Sequence, residues 1–157
     1  MHELNPDWEY VADTVMGGVS TGQISQATSR GRAGTRLTGE VSTENDGGFI
    51  QMAFDLAPDG GAFDASGFAG VEIEVRGNGE KYELRLRTTD TEKPWESFRH
   101  PFTTTPKWTT LHLPFTAFDA HRTEVAFDPA HLRRMGVLAI GREFAADVSV
   151  AAVRLYG

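Results

Sequence analysis

The chain of 157 residues has the length of one ordinary domain, contains no cysteine and carries a formal net charge of −7. The lack of cysteine excludes disulfides, thiol nucleophiles and Cys-ligated metal centres. The negative net charge disfavours nucleic acid as a partner, because such binding needs cations that neutralise phosphates. No apolar run reaches the roughly 18 residues of a membrane span, and the first residues lack the pattern of a targeting segment, so we predict a single cytoplasmic domain over residues 1–157 with no membrane span.

The first distinctive segment is Asp13-Thr14-Val15-Met16-Gly17-Gly18-Val19-Ser20. Its adjacent glycines permit a tight backbone turn, and Asp13 and Ser20 can brace that turn through hydrogen bonds to main-chain amides. No Gly-Lys-Ser/Thr sequence and no helical pattern follow, which excludes a phosphate loop. The segment is either a structural turn or a binding loop with exposed amides, and the sequence leaves both open. Its candidate binding residues are Asp13, Met16, Gly17, Gly18 and Ser20.

Alternation of apolar and polar residues predicts the strands. The large apolar residues fall on one face of Ile50–Leu56, Val71–Val75, Tyr82–Leu86 and Leu111–Phe115, which places that face on a core and the other in solvent or a groove. The run Met135–Ile140 predicts a more fully buried strand. About eight short strands separated by turns predict an all-β domain, an antiparallel β-sandwich of the jelly-roll type.

The C-terminal strand changes phase along its length. Val148 and Val150 are in one phase, whereas Val153 and Leu155 are in the other. An extra residue in one strand of a pair shifts the phase of the residues that follow it. We therefore predict a bulge around Ala151-Ala152.

Asn78-Gly79, between two alternating runs, is the strongest hairpin signal in the chain. Turn chemistry favours a turn centred on these two residues and cross-strand charge pairing favours one centred a residue later, so the register stays open. Either hairpin would place Arg76 near Arg85 and Arg87 on the polar face of one sheet. Two interpretations of these arginines stay open. In one, they form a row that binds an anionic ligand or the acidic surface of a partner. In the other, they form a ladder that nearby glutamates neutralise.

Little in the sequence points to catalysis. The histidines show neither the spacing of metal ligands nor a nucleophile elbow, and no segment has the spacing of an EF-hand calcium loop. We therefore predict no enzymatic activity, no catalytic residues, no metal site and no cofactor. Trp95 lies in a polar stretch and is the best candidate for an exposed aromatic platform, which stacks on sugar rings or anchors a protein interface.

Four blocks in order carry a family resemblance. They are Asp13-x-Val15-Met16-Gly17-Gly18-x-Ser20, Gly39-x-Val41-Ser42-x-x-Asn45-x-Gly47-Gly48-Phe49, Val75-Arg76-Gly77-Asn78-Gly79-x-x-Tyr82-x-Leu84-x-Leu86-Arg87-Thr88, and Trp108-x-x-Leu111-x-Leu113-Pro114-Phe115-x-x-Phe118. Together they resemble the complex I intermediate-associated protein 30 kDa family, over Trp8 to Tyr156. The resemblance implies a galactose-binding-domain-like jelly roll in a short bacterial-type member. Asn78 stands where the family commonly has Asp, and Arg122-Thr123 where it has Arg-Gly.

What the resemblance implies is a non-catalytic role, because mitochondrial members are assembly factors that associate with partly built respiratory complex I. We predict a binding or assembly-factor domain that recognises a protein partner, such as a respiratory-complex subunit or an assembly intermediate. It would use the loops around Met16-Gly17-Gly18 and Asn45 and a polar sheet face formed by Arg76, Arg85, Arg87 and His112. The alternative is a carbohydrate-binding module that binds a small glycan on a concave sheet face beside Trp95.

Overall fold

The computed structural model describes residues 1–44 and 48–157 and, within these ranges, all side chains except those of Val15 and Met16. The strands of the described residues are, in chain order, β1 (His2–Glu3), β2 (Glu9–Ala12), β3 (Thr21–Ser29), β4 (Arg32–Val41), β5 (Phe49–Asp55), β6 (Gly70–Gly77), β7 (Lys81–Thr88), β8 (Ser97–Thr103), β9 (Thr109–Pro114), β10 (Asp119–His121), β11 (Leu132–Ile140) and β12 (Phe144–Tyr156). Single 3-10 turns span Asp13–Met16, Phe115–Ala117 and Pro129–His131. No helix in the described part of the chain is long and apolar enough to span a membrane.

The strands form two antiparallel sheets. Sheet A has the order β3-β4-β12-β6-β9, with β1 also paired to β12, and sheet B has the order β10-β8-β7-β11-β5-β2. The inward-facing side chains of both sheets form one buried apolar cluster, as expected where two half-polar sheets cover each other. The predicted all-β antiparallel jelly-roll sandwich is confirmed.

Two strand predictions are confirmed in detail. The run Met135–Ile140 lies in β11, between β7 and β5 of sheet B, and its Val137 is completely buried. In β12 the register against β6 shifts between Val150 and Ala152. This bulge lets the valines before it and Leu155 after it all face the core.

The predicted hairpin at Asn78-Gly79 is wrong. β6 pairs with β12 and β9 in sheet A, whereas β7 pairs with β11 and β8 in sheet B, so the segment between them crosses from one sheet to the other. Asn78 is attached to β12 rather than closing a turn. Its Nδ2 donates to the Ala145 carbonyl at 2.9 Å, its backbone N–H donates to the Asp147 carbonyl at 3.2 Å, and its Oδ1 accepts from the Tyr82 hydroxyl at 2.7 Å.

A tight hairpin occurs instead between β3 and β4. Ser29 pairs with Arg32, so the turn consists of Arg30 and Gly31 alone. Both have positive φ, 47° and 77°, which is the backbone of a type I′ turn. The usual Asn-Gly or Asp-Gly signal of this turn is missing at these two positions, so the turn was not predicted.

Candidate functional site

A groove of about 900 Å³ lies over the outer face of sheet B. Because side chains alternate along a strand, the residues between those of the core point out of the sheet and form its walls. The lining of this sheet B groove includes Phe49, Gln51, Ala53, Arg85, Arg87, Trp95, Ser97, His121, Arg122, Arg134, Gly136, Leu138 and Ile140. Its volume is that of a site for a small molecule or for a few residues of another chain.

Small residues on the central strands form the floor of the groove. Gly136 of β11 lies opposite Ala53 of β5 on one side and opposite Arg85 of β7 on the other. A Cβ at position 136 would lie 2.8 Å from Oε1 of Gln51, closer than such atoms approach. Glycine inside a strand commonly marks a place where another group comes near the backbone, and here it keeps the middle of the groove open.

Two of the groove arginines are held by carboxylates. Arg85 donates from Nε and Nη2 to Oε1 of Glu83, at 3.0 and 2.9 Å. Arg134 donates from Nη1 to Oδ1 of Asp55 at 2.9 Å and from Nη2 to Glu9. For Arg85, therefore, the structure favours the neutralised ladder over a free cation.

Arg87 differs, because no described residue provides it with a carboxylate partner. Its Nε donates to the carbonyl of Glu96 at 3.2 Å and its Nη2 to the carbonyl of Lys93 at 3.0 Å. Burial, and then the neighbouring Arg133 and Arg134, lower the pKa of its guanidinium. Arg87 is a half-buried cation whose positive charge is not matched by an adjacent anion.

Ser97 and His121 lie side by side at the junction of β8 and β10, where their Cα atoms are paired. Ser97 is 3% exposed, and its Oγ has no hydrogen-bond partner among the described residues. Burial, and then the charges of nearby arginines, lower the pKa of His121. Since Leu86 pairs with Phe98, the register also places Arg87 next to Ser97.

The rim of the groove carries Trp95, which is 54% exposed as predicted, with Nζ of Lys93 at 5.9 Å from the centre of its ring. The loop around it is fixed by Glu96, whose Oε2 accepts from the backbone N–H groups of Glu92 at 2.7 Å and Lys93 at 2.8 Å. Arg122 also lines the groove and has a left-handed backbone, with φ 54°. This conformation is uncommon for a residue other than glycine and is found disproportionately at functional sites.

Arg76 and His112 do not lie in the groove, which corrects the prediction that they share one face with Arg85 and Arg87. They belong to β6 and β9 of sheet A, on the opposite side of the sandwich. Nε2 of His112 lies 2.8 Å from Oε1 of Glu72. The error follows from the hairpin: without a direct β6–β7 pairing, consecutive strands of the sequence contribute to different surfaces.

Asp13 is fully buried, and its carboxylate accepts four hydrogen bonds. Oδ1 accepts from the Ser20 N–H at 3.1 Å, and Oδ2 accepts from the Ser20 hydroxyl at 2.5 Å, the Gly48 N–H at 2.6 Å and the Phe49 N–H at 3.3 Å. Burial raises the pKa of Asp13, but these bonds outweigh it and lower the pKa. The predicted brace is present, and it also holds the start of β5. Asp13 and Ser20 are inaccessible to a partner and contribute to the groove by fixing Gly48 and Phe49 at its end.

The glycines of this loop are required by its geometry. Gly17 has φ 88°, and a Cβ at Gly18 would lie 2.4 Å from Cγ of Asp13. Of the two alternatives left open for this segment, the geometry therefore favours the structural turn. The side chain of Met16 and the whole of Asn45 lie outside the described residues.

One cluster of described residues has the geometry to hold a metal ion. The ligand atoms of Asp90, Asp128 and His131 lie within 4.8 Å of one another. Nδ1 of His131 lies 2.8 Å from Oδ2 of Asp90, and this hydrogen bond is the main cause of the raised pKa of His131. Contacts among the three side chains account for the cluster without an ion.

Sequence reasoning missed Ser97, His121, Arg122 and Arg134 as groove residues. One signal was available, since Gly136 interrupts an otherwise buried strand. The rest depend on the strand order, which brings residues from distant parts of the chain onto one face.

The profile of the family described as Complex I intermediate-associated protein 30 matches residues 2–148. The chain belongs to this family. The match confirms the resemblance carried by the four sequence blocks. No curated protein sequence matches the chain.

Solved structures similar to this member of the complex I intermediate-associated protein 30 family include several carbohydrate-binding modules. A family 11 module from Clostridium thermocellum, in complex with a β-1,3-1,4-mixed-linked tetrasaccharide, has a TM-score of 0.78 and 14% identity over 99% of this chain and 95% of that chain. A family 11 module of a cellulosomal cellulase of that organism has a TM-score of 0.80 and 13% identity over 100% and 95%. A family 30 module, also of a cellulosomal cellulase of Clostridium thermocellum, has a TM-score of 0.70 and 14% identity over 100% and 95%. At these identities the likeness establishes the fold alone.

Proposed function

We propose that this chain is a cytoplasmic, non-enzymatic recognition domain that binds a protein partner in the sheet B groove and acts as an assembly factor. The observation that carries the proposal is the composition of the groove. An exposed Trp95 and several arginines surround a floor that includes Gly136 and Leu138. Tryptophan and arginine are the residues most enriched among those that dominate the energy of protein interfaces, and they act where an apolar surface is desolvated around them.

The groove chemistry fits recognition better than catalysis. General acid–base work needs titratable groups that converge on one reacting atom. The carboxylates of Glu83 and Asp55 are instead held by arginines of the wall. His121 is surrounded by arginines, whose charges disfavour its protonated form. Within the described residues, these groups supply a charged binding surface rather than an acid and a base.

The family suggests the kind of partner. Its description names an association with an intermediate of complex I, so we propose a respiratory-complex subunit or an assembly intermediate as the bound protein. A preformed groove suits that task, because a rigid site loses little conformational entropy when a flexible segment of an unfinished assembly enters it.

The test is capture of partners by crosslinking in the native cell, with Arg85→Ala/Arg87→Ala as the groove variant. Arg32→Ala/Arg36→Ala is the matched control, since it also removes two arginines but from sheet A, where they pair with Glu74 and Asp147. We expect a complex I subunit or assembly protein to be lost from the groove variant and retained by the control. Recovery of the same proteins by the groove variant as by the wild type would show that the groove is not the recognition surface. Thermal unfolding of each variant verifies that the fold is intact.

A glycan is the second candidate ligand, favoured by the exposed ring of Trp95 beside the groove. Exposed aromatic rings stack on sugar faces, and the similar structures include a module bound to a tetrasaccharide. Glycan-array binding that disappears in Trp95→Ala and persists in Trp95→Phe, which keeps an aromatic ring, would support this function. A wild-type protein that binds no glycan on the array would exclude it for the glycans tested.

A further inference from the structure

The groove contains a buried hydroxyl without a partner. Ser97 alternates with the core residue Phe98 along β8, so its side chain points out of the sheet, and it lines the groove. Its Oγ is nevertheless inaccessible to solvent and makes no hydrogen bond to a described residue. Buried hydroxyls are almost always hydrogen-bonded, and an exception requires an explanation. An incoming acceptor atom is such an explanation if the groups that cover the hydroxyl move aside as the acceptor enters the groove.

A cation and an imidazole flank this hydroxyl. Arg87 lies next to Ser97 on one side and uses two of its donors on main-chain carbonyls. Glu96 and Asp55 are the negative groups that act on Arg87, and neither forms an ion pair with it among the described residues. His121 lies on the other side of Ser97. The acceptor that fits between these groups is an anion, because it would offset a charge that the described residues leave unmatched.

Charged groups from each neighbouring strand act on His121. Arg85 and Glu83 approach from β7, Arg99 from β8, and Arg122 from the residue after β10. Three cations therefore act against one carboxylate. Burial first, and then these charges, lower the pKa of His121 and so disfavour the protonated imidazole while no anion is bound. An anion placed beside it would reverse part of this repulsion.

We propose that Arg87, Ser97 and His121 form a pocket for a carboxylate, which takes an acidic side chain of a partner polypeptide and draws a proton onto His121 as it binds. The proposal rests on the proposed function, because it specifies the chemistry of the protein segment that enters the groove. An acidic polypeptide is favoured over an acidic glycan because the groove also presents Phe49, Leu138 and Ile140. Such apolar surface is complementary to apolar side chains that flank the acidic residue in a polypeptide. A uronate chain has no apolar side chains.

The proton linkage has a definite sign. A bound carboxylate stabilises the protonated imidazole, so it raises the pKa of His121 and is itself bound more tightly when His121 is protonated. Affinity should therefore increase as the pH falls through the pKa of His121 in the complex towards its lowered pKa in the free protein, as long as the glutamate side chains remain ionised. Salt should weaken binding, because part of the affinity is Coulombic.

The experiment is isothermal titration of the whole chain with a short capped oligoglutamate peptide, and with oligoglutamine and oligogalacturonate as comparison ligands. Buffers of different ionisation enthalpy report the protons taken up on binding. The variants are Ser97→Ala, Arg87→Gln and His121→Gln, and Arg36→Gln on sheet A is the control for loss of one positive charge. Tryptophan fluorescence, with Trp95→Phe to identify the contribution of Trp95, shows whether the rim loop, which Arg87 helps to hold, keeps its conformation.

We expect oligoglutamate to bind with proton uptake, and oligoglutamine not to bind. Affinity should fall about tenfold in Arg87→Gln and several-fold in Ser97→Ala, and should not change in Arg36→Gln. Proton uptake should be absent in His121→Gln. Unchanged affinity in both Ser97→Ala and His121→Gln would overturn the pocket even if Arg87→Gln disturbed the rim loop, and binding of oligogalacturonate alone would overturn the assignment to a polypeptide.

The two proposals can fail separately. If a partner is captured through the groove but oligoglutamate neither binds nor competes with it, the carboxylate pocket is wrong and the recognition function stands. If oligoglutamate binds with the expected proton uptake but no protein depends on the groove for capture, the pocket is present and the recognition function is wrong.

Discussion

Asp13→Asn tests whether one buried carboxylate holds the loop, the start of β3 and the start of β5 together. The wild-type carboxylate accepts hydrogen bonds from three backbone N–H groups and one hydroxyl. Asparagine has nearly the same shape but presents one oxygen and one NH₂ group. The NH₂ group would replace one of the two carboxylate oxygens. Where that oxygen now accepts a hydrogen bond, two donors would face each other.

The magnitude follows from the number of donors affected. Hydrogen bonds to a charged group contribute about 1.5–3 kcal/mol each, and a buried donor left without an acceptor costs about 1–3 kcal/mol. These contributions are not additive within one cluster. We expect a net loss of about 3 kcal/mol in the free energy of unfolding, which is a fall of about 6–12 °C in Tm for a domain of this size.

The assay is denaturant unfolding from neutral pH down to about pH 3, with Asp59→Asn as the control. Asp59 is exposed and accepts one N–H bond, from Gly61 at 2.9 Å. Because the pKa of Asp13 is lowered on folding, its contribution is fully present above about pH 4 and is lost as the pH falls through the folded-state pKa. The deficit of Asp13→Asn should therefore shrink at acid pH. A deficit equal to that of Asp59→Asn, or one independent of pH, would refute the reasoning.

Three further predictions concern single contacts. Ser97→Ala should leave stability unchanged or raise it by up to about 1 kcal/mol, because the buried hydroxyl has no partner; a clear loss in urea unfolding would reveal a hydrogen bond that this structure lacks. Asn78→Asp should lower stability by about 1–2 kcal/mol, since aspartate cannot donate to the Ala145 carbonyl, and an unchanged denaturation midpoint would contradict that role. His131 should titrate by NMR with a raised pKa that Asp90→Asn returns towards its ordinary value. The stability it contributes is present at low pH and is lost as the pH rises through the raised pKa, so identical His131 titrations in wild type and variant would exclude the ion pair.

Local patterns were sufficient for much of the fold. The phase change between Val150 and Val153 predicted the bulge in β12, because side chains alternate without exception until a residue is inserted. Asp13 and Ser20 were predicted to brace a turn, because short polar side chains near glycine bond to nearby amides. Both inferences concern residues close to one another in the chain.

The groove could not be predicted in this way. Asn78-Gly79 has the composition of a hairpin turn, yet Asn78 bonds to β12, far along the chain. Local turn preference is weak beside several hydrogen bonds that tertiary structure offers. Once that connection is known to cross between the sheets, Arg76 moves away from Arg85 and Arg87. His121 and Ser97 then join the arginines because β10, β8 and β7 are neighbours in sheet B.

Because Gly136 and Ala53 form the floor of the groove, substitution by larger side chains at these two positions would reduce its depth in small steps. The strands on either side pair through their backbones, so added carbon atoms would occupy the space of the ligand before they disturb the sandwich. A graded series of larger residues at position 53 would therefore measure how far a bound segment descends towards the sheet. Among related sequences, a bulky residue aligned with Gly136 would identify domains that retain this architecture but have a filled, flat surface in place of the binding site.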